Sequence, residues 1–443
     1  MAEKMNGRWA LIVLTSLIAL GGCDKWLGGN QEPPLPGTRI SILAHERSLS
    51  PDPQAANSEI LLPRPTVNAN WPAAGGYPNH AMHHIAVEAD LRRAWSVNIG
   101  AKASKSAYII APPIVAEGRV FAMDAESKVS AYDAQTGKNL WRLKLTPKGE
   151  DDDLINGGIA FDEGRIYVTT GFAQVLALDA ATGRFLWRRE FDAPFHAPPT
   201  ARGGRLFVLS VDNKLYALAQ ADGEQLWSHA GITESASILG TASPAVDNGI
   251  VVAPYSSGEL VALRVENGQV LWSESLTSVR RTDNVSTLSD IRGRPIIDRG
   301  RVFAMSHADV MTSIDLRTGQ RIWEKKIGGL ENLWIAGNYV FGLTNDQELI
   351  ALSRDDGRIH WVTALPRWED PVDKTDPIIW TGPLLVSDRL LVAGSAGDVY
   401  AVSPYTGNIL GKISLSDGVS VAPIVANGSI FFLSSDADLI AYR

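Results

Sequence analysis

The chain has 443 residues, a formal net charge of −8 and a single cysteine. One cysteine excludes structural disulfides within the chain. The acidic charge is dispersed and no basic stripe accompanies it, which argues against nucleic-acid binding and electrostatic adhesion to anionic lipid.

Residues 1–22 read as a secretory leader: Lys4 and Arg8 supply the positive end, and Trp9 through Leu20 an apolar core of 12 residues. That run is too short to span a bilayer as a stable anchor. The residues that follow, Leu20-Gly21-Gly22-Cys23, resemble a bacterial lipobox, so Cys23 is the expected lipidation site. Asp24, directly after it, resembles an inner-membrane retention signal in lipoprotein sorting.

From residue 23 to residue 90 prolines recur, as in Pro33-Pro34, Pro51-Asp52-Pro53 and Pro63-Arg64-Pro65, with no sustained period. This composition predicts a tether, with a fully extended reach on the order of 200 Å. Trp71-Pro72 and Gly75-Gly76-Tyr77-Pro78 are the part suited to lie on a folded surface. His80, His83 and His84 fall in the same stretch; without a cysteine or a spaced carboxylate they are expected to hold no metal.

Residues 91–443 are organised by one repeat, most complete in Leu176-Ala177-Leu178-Asp179-Ala180-Ala181-Thr182-Gly183-Arg184-Phe185-Leu186-Trp187. The small centre of the apolar run recurs at Ala131, Ala177, Ala217, Ala262, Ser313, Ala351, Ala401 and Ala441. Successive centres lie between 38 residues (Ser313 to Ala351) and 51 residues (Ala262 to Ser313) apart. Upstream of each lies another apolar run, such as Arg119-Val120-Phe121-Ala122, with a Pro-rich or Gly-rich approach. Four short strands per unit of this length predict one propeller blade. Six turns closing on glycine are followed at the fourth residue by Trp141, Trp187, Trp227, Trp272, Trp323 or Trp361; after Gly407 that place holds Gly411.

The last copy stops before any turn, at Arg443, while an unattached strand carrying Trp95 precedes the first blade. The N-terminal strand is therefore expected to complete the last blade and close an all-β, eight-bladed propeller of four-stranded sheets. Each tryptophan is expected to dock on its neighbour, burying up to ~200 Å², on the order of 5 kcal/mol as an upper bound. Gly411 should then mark the weak joint. The acidic run Glu150-Asp151-Asp152-Asp153 reads as a solvated loop, since it lacks calcium-loop spacing.

The alanine-centred strand, the Asp-x-x-Thr-Gly turn and the terminal tryptophan resemble the docking repeat of the quinoprotein-like eight-bladed propellers. With the lipobox in front, the chain is similar to the lipoprotein family of the outer-membrane β-barrel assembly machinery. That resemblance implies a scaffold on the periplasmic face of the outer membrane that aids folding and insertion of barrel proteins. The implied partner is a POTRA domain of the barrel-forming subunit BamA, with nascent outer-membrane proteins as further clients.

The alternative class is a pyrroloquinoline-quinone dehydrogenase, which shares the repeat. Its vicinal cysteine pair is impossible here, because Cys23 lies outside the propeller, and no calcium-ligand grouping is recognisable. His196, His229, His307 and His360 fall at unrelated places in the repeat. The expectation is therefore no catalytic residue, no metal and no cofactor. A third reading, a peptide- or sugar-binding propeller, would use Trp334, Trp368 and Trp380 as platforms, although extra packing accounts for them more simply.

Two segments carry the partner expectation: Ala236 to Pro244, entering the fourth blade, and Ser286 to Arg292, entering the fifth. By resemblance, Ile238 is an apolar contact, Gly240 the turn, and Leu288-Ser289-Asp290 an acidic loop. Leu239 stands where the family carries a basic residue, and Arg292 either replaces that charge or reverses the contact. Physically, Ile238, Leu239, Leu288 and Ile291 are apolar residues in loops, able either to form a patch or to tuck beneath the loops as satellite core.

Overall fold

A computed structural model describes residues 49–151, 154–234, 238, 240, 242–277 and 289–443. The expected leader, Cys23 and Asp24 lie outside the described residues. Residues 50–443 form one compact unit.

Eight four-stranded antiparallel sheets follow one another along the chain, the first built from Ile114–Ala116, Arg119–Met123, Lys128–Asp133 and Asn139–Lys144. In the last sheet Arg93–Asn98 pairs with Asp438–Tyr442, bringing Trp95 opposite Ala441. The expected closure by the N-terminal strand is thus observed. The second and third strands of the first blade are buried on both faces, whereas its outer strand Asn139–Lys144 is largely exposed.

The register explains why the repeat centre is small. In every blade with a docking tryptophan, the indole residue lies directly opposite that centre: Trp141 opposite Ala131, Trp187 opposite Ala177, Trp323 opposite Ser313. On its other side the centre faces an aromatic ring in most blades, for example Phe121 opposite Ala131 and Phe207 opposite Ala217. Cross-strand partners share a face. A methyl between them therefore lets the two rings meet, with centroids 6.0 Å apart for Phe121–Trp141 and 5.9 Å for Phe207–Trp227.

Each indole N–H then donates to a carbonyl in the next blade's turn, as Trp141 to Ala180 at 3.0 Å and Trp361 to Pro404 at 3.0 Å. The turn glycine lies beneath the ring. Gly183 has φ +73°, and a Cβ there would come within 2.7 Å of the Trp141 ring, so glycine is required on two counts.

Gly411 breaks the pattern for a topological reason. A tryptophan there would dock on the hairpin turn between the third and fourth strands of the eighth blade, but in that blade the fourth strand is Arg93–Asn98, so no hairpin joins the two. Nothing lies within 4 Å of a Cβ at Gly411. Trp380 does not fill this place; it is buried on the innermost strand of blade seven against Tyr400, centroids 5.0 Å apart. Trp334 is also buried, whereas Trp368 stays half-exposed in a two-stranded ribbon.

The tether expectation needs correction over residues 50–90, which pack on the propeller. Asp52 N–H bonds Ile359 at the rim of the sixth blade, and the chain runs inward past Tyr339 and Gly337. Residues 66–86 then cross the ring axis. Backbone bonds join Trp71 to Val115, Pro72 to Phe161, Pro78 to Val246, Asn79 to Ile297 and Asn68 to Asn427. These receive the free edges of the innermost strands of the first, second, fourth, fifth and eighth blades, groups that otherwise lack partners. Trp71 stacks on Trp334 at 6.3 Å, and the Trp334 indole donates to the His83 carbonyl at 2.7 Å.

The three clustered histidines take separate partners. His80 Nδ1 bonds the Pro295 carbonyl at 2.8 Å, His83 faces Asp298, and His84 lies between the Pro63 carbonyl and the Asp388 N–H. Among the described residues no three His, Cys, Asp or Glu side chains gather in metal-ligating range.

Candidate partner face and central channel

Residues 66–86 plug the ring axis at the hairpin end of the innermost strands. The segments from the outer strand of one blade to the innermost strand of the next enter from the other end, leading into Ala245–Asp247 and Ile296–Asp298. Leu239 and Leu288 lie outside the described residues. The others sort into three environments.

Asp290 is buried, and its Oδ1 accepts the Ile238 backbone N–H at 2.9 Å. The acidic residue expected as a contact instead ties the two segments together. Burial raises its carboxyl above the usual range, partly offset by that hydrogen bond. The Asp290 carbonyl also receives the His307 N–H, fixing the backbone.

Ile291 is 2% exposed and packs with Trp272, Leu276 and Val302 in the core between the fourth and fifth blades. It supports the face from beneath. Ser289 sits over the Gly258 turn, where an added Cβ would meet its own at 2.8 Å.

Ile238, Gly240 and Arg292 are partly exposed. Gly240 takes φ +86°, and a Cβ there would lie 3.5 Å from the Arg292 Nε, so the turn leaves the guanidinium room. Arg292 stands 3.9 Å from Glu331, whose other oxygen accepts the Thr381 hydroxyl at 2.8 Å. The solvent-facing remainder is one aliphatic and one cation beside a tight turn, held by a buried carboxylate.

Behind this face lies the channel, in which sequence reasoning assigned no residue. Arg294, Glu331 and Thr381 come from the stretches entering three different blades, and no spacing in the sequence links them. The fit of a quinone cofactor is decided by space. Among the described residues, cavities of about 40 and 60 Å³ lie along the axis. Pockets for organic ligands begin near ~300 Å³. The Trp71–Trp334 stack occupies the interior, so the residues present do not fit that cofactor.

A family model described as "Outer membrane protein assembly factor BamB" matches residues 84–151 and 125–363. The chain belongs to the BamB family. The match runs from the end of the plug through the sixth blade, including both partner segments. A BamB of Yersinia pestis is 26% identical over 358 residues, covering 79% of this chain and 88% of that protein. The crystal structure of BamB from Moraxella catarrhalis aligns with TM-score 0.67 at 20% identity, over 80% of this chain and all of that one. A quinohemoprotein alcohol dehydrogenase from Comamonas testosteroni aligns with TM-score 0.65 at 14% identity, over 84% and 80%. At such identities the two structures establish the propeller alone. The BamB relationship itself rests on the sequence match.

Proposed function

We propose that this protein is a non-enzymatic, lipid-anchored scaffold of the outer-membrane assembly complex, which docks a POTRA domain of the barrel-forming subunit on its fourth and fifth blade segments. Cys23 carries the lipid, and the propeller faces the periplasm at the outer membrane. The supporting observation is the Asp290–Ile238 hydrogen bond, which couples two neighbouring segments into one unit. Such coupling lowers the ordering cost of binding. Ile238 and Arg292 are the contacts, Gly240 shapes the turn, Asp290 and Ile291 position them, and Ser289 seats the second segment. Leu239 and Leu288 complete the apolar share.

The test is capture from membrane extracts with protein lacking the first 23 residues, comparing wild type with Ile238→Glu plus Arg292→Glu. Both substituted positions are partly exposed, so folding should persist and be verified by melting. Wild type should recover the barrel-forming subunit and the folded double variant should not. Equal recovery by both would remove these segments from the interface, and recovery by neither would remove the scaffold reading.

A further inference from the structure

The plug turns the axis of the ring into a blind pit that opens toward the partner face. The deeper cavity, about 40 Å³, is lined by Trp71, His80, Arg294 and Trp334. The outer one, about 60 Å³, is lined by His196, Gly240, Arg292, Arg294, Glu331 and Thr381. Arg294 borders both.

The charge inside is unbalanced. Burial lowers the His80 pKa to about 3 and also lowers that of His196, so both imidazoles are neutral near pH 7. Two guanidiniums then face one carboxylate, Glu331, which is already engaged by Arg292 and Thr381. Arg294 makes no ion pair among the described residues, and its buried Nε–H has no acceptor. Burial pulls its pKa down to about 10, which still leaves it charged. A desolvated cation that shares its one carboxylate, Glu331, with Arg292 and Thr381 is incompletely compensated, and a guanidinium's planar donors match an oxyanion in geometry.

We infer that the pit is an oxyanion site: Arg294 takes one carboxylate or phosphate group, entering past Arg292 and Gly240. The size agrees, since ~10–15 Å³ of such volume already holds one water and the outer cavity is several times that. The acidic protein as a whole repels anions, so selectivity must come from within the pit. This inference goes beyond the scaffold reading and is tested on purified protein alone.

The experiment follows thermal unfolding and tryptophan fluorescence during titration with inorganic phosphate, with acetate, or with a short glutamate-rich peptide, at ionic strength fixed with chloride. Trp71 and Trp334 border the deeper cavity and report on it. Wild type should show a saturable response to at least one probe. A response to phosphate or acetate assigns a free anion, and a response to the peptide alone assigns a polypeptide carboxylate. Arg294→Met should weaken binding at least roughly tenfold, the loss of one charged hydrogen bond. Glu331→Gln, which keeps the arginine, should tighten binding several-fold. No saturable response to any probe, an unchanged response in folded Arg294→Met, or unchanged or weaker binding in Glu331→Gln would each overturn the site.

Discussion

The Asp290 carboxylate accepts the backbone N–H of Ile238 across 2.9 Å, joining segments that precede two successive blades. Its second oxygen is buried and has no partner among the described residues. The residue therefore combines a useful acceptor with a poorly solvated charge.

Asp290→Asn keeps an acceptor for Ile238 and removes the charge. Because the folded carboxyl is raised above its unfolded value, the charged form costs stability at neutral pH, and that cost fades as pH falls through the raised pKa. Asp290→Asn should thus match or exceed wild-type stability at pH 7 and lose any advantage near pH 4. Asp290→Ala, which strands the Ile238 N–H, should cost about 1–3 kcal/mol at both. Urea melts at the two pH values measure the contrast, and a large loss in Asp290→Asn at pH 7 would contradict it.

The turn aspartates have the opposite sign. Asp133, Asp179 and Asp315 each accept the hydroxyl and backbone N–H of a threonine three residues on, which holds their carboxyls below the usual range. Their contribution is present above the unfolded carboxylate pKa and is lost as pH falls through the depressed folded value. Asp179→Ala should lower the melting temperature at pH 7, and the gap from wild type should shrink by pH 3. A gap that stays constant would assign the effect to the backbone turn alone.

The ring and its repeat were legible in the sequence because Ala177, Gly183 and Trp187 recur at fixed offsets, and fixed offsets mean one packing role. The ring stacked across the small centre, such as Phe121 over Ala131, was visible only as an apolar residue; its role depends on cross-strand register. The plug was not legible, since Trp71, Ala73, Met82 and Ile85 are buried along an irregular path on which Trp71, Ala73 and Ile85 bridge the first, second and seventh blades, and therefore obey no period. Likewise Asp290, polar and in a loop, reads as exposed, and Arg294 lines a cavity with Glu331 only once the fifth and sixth blades pack side by side. Trp71-Pro72 and Gly75-Gly76-Tyr77-Pro78 were the correct hints of surface contact.

Substitutions at the repeat centre should distinguish a docked blade from the seam. Ala217 lies between Phe207 and Trp227, so Ala217→Val should overpack the stack and cost about 1–3 kcal/mol. Ala401 faces Gly411 instead of an indole, and Ala401→Val should cost less than about 1 kcal/mol. Gly411→Trp should not stabilise, because no hairpin joins the last two strands of the eighth blade to receive the ring. A clear gain in melting temperature for Gly411→Trp would restore the weak-joint reading.

The plug makes the sharpest claim about where the tether ends. If residues 66–86 close the ring axis, protein starting at residue 50 should melt as the mature chain does, while protein starting at residue 87 should not. The shorter protein uncovers the Val115, Phe161, Val246 and Ile297 edges together with the Trp334 ring, leaving backbone groups and apolar surface unpartnered. It should bind a hydrophobic dye, tend to associate, and melt well below the longer protein. Trp71→Ala in the full chain tests the same contact without truncation: it leaves the Trp334 face uncovered and should cost about 3–5 kcal/mol. Equal melting of the two truncated proteins, with Trp71→Ala near wild type, would return residues 50–86 to a loosely laid tether.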